Sequence, residues 1–327
     1  MNFWKKLKTL RHTGSTTLTT SQGEPFTVLA PMANVTDWAF RNVIAGCGRP
    51  DVFYTEFISA DGISAVGHEK FKGELYFEEN ERPIVAQFFG SKPEHFYKCA
   101  QLAQKLGFNG IDINMGCPDK SVEKQGAGAS LIKNPELARE IIKQTIRGAG
   151  KLPVSVKTRL GYNKIETETW IPHLLNTDIS ALTVHARIRK DMSKTPARWE
   201  ELGKIVEMAK GTDKLIIGNG DVKNLNEGYD KANKYGLDGM MVGRGIFENP
   251  WFFCGIADSA ERTPIERIKL LKKHLDNFEK LWGSNKNFDV MKRFFKIYIN
   301  GWPGAKELRI KLMNTVNIQE AMSILKM

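Results

Sequence analysis

GIDINMGCP, residues 110–118, is the stretch on which the fold turns. Its apolar run is too short for a core helix, and alternating isoleucines suit a strand. Asp112 and Asn114 share a parity, so one strand face carries both polar groups. Gly116 permits a tight turn, Cys117 follows, and Pro118 restrains the backbone beyond the sulfur. A strand that ends in reactive residues is what the C-terminal rim of a parallel barrel requires.

Seven similar runs flank this one: Phe26–Leu29, Asp51–Phe57, Ile84–Phe89, Val154–Thr158, Ala181–His185, Lys214–Ile217 and Gly239–Val242. With Gly110–Asn114 they make eight short, Val/Ile/Phe-rich segments in roughly 225 residues, the arithmetic of a (β/α)8 TIM barrel. Helices are expected between them. Thr36 precedes one that Gly46 can end, Ser91 and Pro93 open one that Gly107 closes, and Asn134–Pro135 opens a third. A doubly wound open sheet is the rival. The lack of an early GxGxxG and the polar residues at nearly every strand end favour the barrel.

Beyond Pro250 the texture becomes helical. Ile265, Ile268, Leu271, Leu275 and Phe278 are expected on one buried face, with Arg267, Lys272 and Lys273 mostly off it. The chain thus divides into a basic, polar N-terminal extension (1–24), a barrel (25–250) and a small all-α domain (251–327), the last joined through Ile256–Arg262. The extension reads as a loose tail without an apolar secretory core.

Net charge is +11, and its distribution is uneven. Residues 1–24 hold four Lys/Arg against one Glu, and residues 251–327 hold 14 Lys/Arg against eight Asp/Glu. The remaining 25–250 are nearly balanced, at 30 against 28. A basic module beside a neutral one suggests a polyanionic substrate. No apolar run reaches the roughly 18 residues of a membrane span. Cys47, Cys99, Cys117 and Cys254 form no CxxC pair, which argues against a metal or disulfide framework and suits a reducing cytoplasm.

Strand ends supply the candidate site. Cys117 is the candidate reactive thiol, whereas Cys99 inside a helical pattern and Cys47 beside a helix end fit the inert role of buried cysteines. Lys157, within VSVKTRLG, should meet an anion, a carboxylate or a cofactor carbonyl, because lysine is costly to bury alone. His185 and Arg187 are expected at the same rim. Asn219, Gly220 and Asp221, with Gly243, Arg244 and Gly245, form paired glycine-rich ends that suit one phosphorylated cofactor.

Together the motifs resemble the tRNA-dihydrouridine synthase family, bacterial type. The matching stretches are APMANVTDWAFR (30–41), VAQFFG (85–90), DINMGCP (112–118), GAGASLI (126–132), VSVKTRLG (154–161), VHARIRK (184–190), IGNGD (217–221) and DGMMVGRG (238–245). The resemblance implies an enzyme that binds FMN, draws on NADPH or NADH, and reduces the C5–C6 bond of selected tRNA uridines. It places Pro31, Met32, Gln87 and Lys157 around the flavin ring. His185, Asn219, Gly220, Asp221, Gly243 and Arg244 would hold the ribityl chain and phosphate. Asn114 and Arg187 fall on the substrate side, and Cys117 would protonate C5. Lys272, Lys273, Lys292, Arg293, Lys296 and Arg309 become candidate RNA contacts, with tRNA as partner and no protein partner or metal expected.

Two departures stand out. Asn34 replaces a usual glycine, which predicts a different path for the Met32 loop, and Ala186, Ile188, Asp191 and Ser193 depart from the usual pattern after His185. Glu56 is a rim residue without an assigned role. The rivals are an FMN barrel acting on a free pyrimidine, like dihydroorotate dehydrogenase, and a non-catalytic RNA-binding barrel.

Overall fold

The computed structural model describes residues 2–7, 24–254 and 262–326. Eight parallel strands occur in it: β1 (Phe26–Leu29), β2 (Phe53–Ser59), β3 (Ile84–Phe89), β4 (Gly110–Met115), β5 (Val154–Arg159), β6 (Ala181–His185), β7 (Leu215–Asn219) and β8 (Gly239–Val242). Each pairs with its sequence neighbour from β2 through β8, and β1 pairs with β8. A bridge between Val28 and Val52 closes the ring, so the expected barrel is the observed one.

Two strands begin later than the sequence suggests. Asp51 stays outside β2, its carboxylate accepting from the Thr27 amide at 2.7 Å and the Thr27 hydroxyl at 2.9 Å. β7 runs on through Gly218, where a Cβ would lie 2.7 Å from Leu237 and 2.8 Å from Trp199. In β2 the register slips between Tyr54 and Phe57. Such a bulge re-aims the residues within it, here Thr55 and Glu56.

The interior has two zones. Toward the strand starts Phe26, Val28, Val52, Val85, Ala181, Leu215, Ile217 and Met241 pack into one apolar cluster. Trp4 and Leu7, on a helical turn at residues 3–7, complete it from below. Trp4 is fully buried, its ring 5.7 Å from Phe26. The N-terminal stretch is therefore anchored at its start and not a loose tail there; residues 8–23 lie outside the described residues. Toward the strand ends the interior turns polar, with Gln87, Asp112, Ser155 and Thr183 all buried.

Helix starts follow backbone chemistry with small shifts. Asp37, not Thr36, caps Trp38–Cys47 by accepting from the Phe40 amide, and that helix ends at Gly48 rather than Gly46. The Thr36 hydroxyl instead accepts from the Met32 amide at 2.8 Å. The helix Pro93–Lys105 has Lys92 as N-cap, without a side-chain bond from Ser91. Asn134 caps Pro135–Ala149 as expected.

After the barrel come the helices Pro264–Trp282, Asp289–Tyr298, Ala305–Met313 and Ile318–Ile324. A Thr263/Glu266 capping box opens the first. Their apolar side chains join the cluster outside the strands, so helix Trp38–Cys47 and the C-terminal helices share one core. The expected buried face needs correction. Ile265 is 78% exposed, whereas Arg267 is 1% exposed. The Arg267 guanidinium sits 6.0 Å from the Trp251 and Trp302 rings and donates to Asn300 Oδ1 at 3.2 Å. These aromatic faces and acceptors offset its desolvation. Of the expected joining stretch, only Arg262 lies within the described residues.

Candidate active site

The fourth strand delivers Asn114 and Cys117 to the mouth. Asn114 Oδ1 accepts from the Gly116 and Cys117 amides at 3.1 and 2.9 Å. Asn114 Nδ2 donates to Gln87 Oε1 at 3.0 Å, and Gln87 Nε2 donates to Asp112 Oδ2 at 2.6 Å. Ser155 Oγ donates to the other Asp112 oxygen at 2.6 Å. Register brings these groups together, since Gln87 pairs with Asp112 and Asp112 with Ser155.

Cys117 is half-buried, and burial raises its thiol above the ordinary value, against an opposing backbone hydrogen bond. It is therefore a protonated thiol at neutral pH. Cys47 and Cys99 are buried in apolar surroundings that push both thiols up to about 12, which leaves them inert.

Asn114 pairs in register with Lys157 on β5. Burial, then the charge of Arg159, lowers the Lys157 ammonium to about 8. The ammonium makes no hydrogen bond to another described residue. Arg159, which the sequence reading left without a role, donates to Gly116 O at 2.7 Å, Met192 O at 2.9 Å and Ile188 O at 3.3 Å. It ties the turn before Cys117 to the loop after β6. A second tie joins Arg189 to Glu123 in a two-pronged ion pair. The Lys133 and Arg189 cations both lie against the Tyr162 ring, 4.5 and 5.1 Å from its centre.

At the sixth to eighth strand ends His185, Asn219 and Gly220 gather. Burial, then the Arg159 and Lys157 charges, holds His185 well below its ordinary value, so the ring is neutral. Its Nε2 lies 3.0 Å from the Arg187 guanidinium. Arginine only donates, so Nε2 accepts and the ring proton resides on Nδ1. Arg187 turns inward, donating to Asp221 Oδ2 at 2.5 Å and Thr195 O at 2.6 Å. Asp221 Oδ2 is thus occupied by Arg187 and by the Ala197 amide at 2.9 Å. Burial raises the Asp221 carboxyl, but these bonds and charges prevail and hold it below the ordinary value. Gly220 adopts φ +130°, and a Cβ there would lie 2.9 Å from Ala197. Trp199 Nε1 donates to Gly220 O at 2.9 Å, and Asn219 Nδ2 to Met241 O at 2.8 Å. Arg244 is exposed, in the helical turn that follows Gly243.

The first-strand loop carries Pro31, buried, and Met32, half-buried. Met32 Sδ would be 3.7 Å from a Cβ at Gly243, so the first and last strand ends meet there. Asn34 takes φ +56°, in the left-handed region that glycine enters most freely and asparagine tolerates. Glu56 Oε1 accepts from the Val35 amide at 3.0 Å. Burial, then the Asp37 charge, raises Glu56 to about 7, while Lys286, 3.8 Å away, opposes this.

Four of the six basic candidates already have a partner in the fold, Lys292 with Asp289 at 2.7 Å among them. Lys273 donates to Asn42 O at 3.3 Å and Arg309 to Ile299 O at 2.5 Å, so both bind their own fold. Arg293 reaches Asn34 O at the mouth, at 3.4 Å. Lys272 is half-buried and Lys296 exposed. A groove of about 330 Å³ lies among Lys292, Phe295, Lys296, Lys306 and Arg309. Lys306, which was not among the sequence candidates, lines the same groove.

A closed parallel barrel with a neutral histidine, a protonated thiol and an unbonded lysine at its C-terminal mouth defines an enzyme of the (β/α)8 class. Solved structures share the fold. Histamine dehydrogenase from Rhizobium sp. 4-9 aligns with a TM-score of 0.54 and 12% identity over 77% of this chain and 48% of that one. A 2-naphthoyl-CoA reductase complex gives 0.54 and 10% over 69% and 49%, so this chain spans about half the length of either. The chain belongs to the dihydrouridine synthase family: residues 28–326 match the family described as Dihydrouridine synthase (Dus). It is 44% identical over 331 residues to "Probable tRNA-dihydrouridine synthase" of Staphylococcus aureus (strain COL), covering 99% of this chain and 94% of that one. With "Probable tRNA-dihydrouridine synthase 2" of Bacillus subtilis (strain 168) identity is 41% over 329 residues, covering 99% and 95%. Among the described residues no helix is long and apolar enough to cross a membrane.

Proposed function

We propose that this protein is a tRNA-dihydrouridine synthase that uses FMN as prosthetic group and NADPH, or NADH, as reductant, acting in the cytoplasm. The observation that carries this reading is the placement of Cys117 at the barrel mouth, on a turn whose backbone amides are held by Asn114 Oδ1, with Asn114 in register beside Lys157. The donor set also fits FMN. Lys157 and the Nδ1–H of His185 suit carbonyl and hydroxyl oxygens, and Arg244 with the Gly220 and Gly243 backbone suits a phosphate. Pro31, Met32 and Gln87 would lie against the ring, Asn219 would order the phosphate end, and Asp221 would act by holding Arg187.

When bound, FMN supplies the two-electron reduction. The residues handle charge and protons. Cys117 Sγ holds the proton that C5 of the uracil receives, a task for a thiol whose acidity burial has suppressed. Lys157 stabilises negative charge where it gathers. Asn114 orients the uracil, and the barrel mouth excludes water. A target base leaves its stack to enter, which a distorted loop makes easier. Lys292, Arg293, Lys296 and Lys306 would meet RNA phosphates, with Lys272 beside them, while Lys273 and Arg309 would brace that surface.

The test is direct. Purified protein should show a flavin band near ~450 nm and, with NADPH, convert uridine to dihydrouridine in unmodified tRNA, read by nucleoside mass spectrometry. Turnover of free pyrimidines with none on tRNA would overturn the reading.

A further inference from the structure

The buried amides beside Cys117 form a chain whose polarity is fixed at both ends. Backbone N–H groups only donate, so the Asn114 atom that the Gly116 and Cys117 amides reach must be its oxygen. Asn114 Nδ2 therefore faces Gln87 and requires Oε1, which leaves Gln87 Nε2 facing Asp112. At that far end stands a carboxylate, which accepts. A flipped Gln87 would set oxygen against oxygen at Asp112 and NH2 against NH2 at Asn114. Gln87 and Asp112 are fully buried.

We infer that Asp112 is a positioning residue: it fixes the amide orientation of Gln87, through it that of Asn114, and so holds the Gly116–Cys117 turn that presents the thiol. Burial raises the Asp112 carboxyl to about 6, against the Ser155 and Gln87 hydrogen bonds and the Lys157 charge, so it is ionised at neutral pH. Because Asn114 Oδ1 already accepts twice, Asn114 has only an N–H to offer a substrate. The turnover part of this inference rests on the proposed function; the backbone part does not.

Three variants of the flavin-loaded protein test it. Asp112→Leu removes the carboxylate, and Gln87→Met breaks the chain at its centre with a side chain of similar shape. Asp112→Asn keeps an oxygen for Gln87 and can turn its NH2 to Ser155 Oγ, which then donates to Ile111 O, 3.3 Å away. The readouts are hydrogen exchange at the Gly116 and Cys117 amides, kcat, and KM for tRNA.

Asp112→Leu and Gln87→Met should speed exchange at both amides and lower kcat, each about tenfold, with KM unchanged within about twofold. Asp112→Asn should stay within about threefold of the parent in exchange and kcat. Unchanged exchange in folded Gln87→Met overturns the inference, and so does an Asp112→Asn as impaired as Asp112→Leu, which would assign the effect to charge. If Asp112→Leu does not fold, Gln87→Met and Asp112→Asn still decide. A parent protein inert on tRNA would refute the proposed function and leave the exchange result to judge Asp112.

Discussion

Val85 and Gln87 lie two residues apart on β3, where side chains of like parity face one side, and the same step separates Ile217 from Asn219 on β7. One residue of each pair belongs to the apolar floor that Trp4 completes, and the other to the polar mouth. Floor residues are held by packing and mouth residues by hydrogen bonds to neighbouring strands. Stability and chemistry are thus separated by one strand repeat, about 7 Å, in a single interior. Changes in the two zones should give different signatures.

The largest effect is expected at the mouth. Cys117→Ala should lower tRNA uridine reduction by about a hundredfold or more, the usual worth of a general acid, with flavin content and melting temperature unchanged. Normal turnover would reassign the proton donor. At the floor the signature inverts: Trp4→Ala should cost about 3–5 kcal/mol of stability in denaturant titration and leave kcat per folded molecule intact. A lost kcat in a well-folded Trp4→Ala protein would erase the contrast.

Subtler effects follow from charge. Lys157 titrates near 8 when folded, against 10.5 unperturbed. Turnover should therefore fall as pH rises through about 8, while the stability of the flavin-free protein rises from there toward 10.5, because the unfolded chain still holds the proton. Melting curves and pH–rate profiles on the same preparations check the opposed signs. Glu56 titrates near 7 when folded, against 4.5, so it withdraws stability as pH climbs through that window. Glu56→Gln should flatten that slope in melting temperatures measured from pH 5 to 8. The smallest effect is Asn34→Gly, which relieves a left-handed φ and should move stability by less than about 1 kcal/mol.

What was legible in the sequence follows the same division. Strand positions could be read because each apolar run is local, and β1, β3, β6 and β8 have the expected limits. The strand-end candidates were legible by position. Their bonding was not: the Asp112–Gln87–Asn114 chain depends on the register of neighbouring strands, which no local pattern encodes. Arg187 reads as a rim residue until Asp221, 34 positions later, is seen to receive it. Arg267 and Trp4 were misjudged because charge and chain position say nothing of a waiting aromatic slot or an open barrel floor.

Arg159 grips the loop after His185 through the carbonyls of Ile188 and Met192. Main-chain oxygens are offered by every residue type. Exposed side chains that make no tie of their own, such as Ser193, can therefore be exchanged without loosening this attachment, whereas Asp191 accepts from Arg198 and Ala186 and Ile188 are buried. Redesign of this loop has its natural starting point at such exposed positions, where sequence can be rewritten over a backbone that stays pinned.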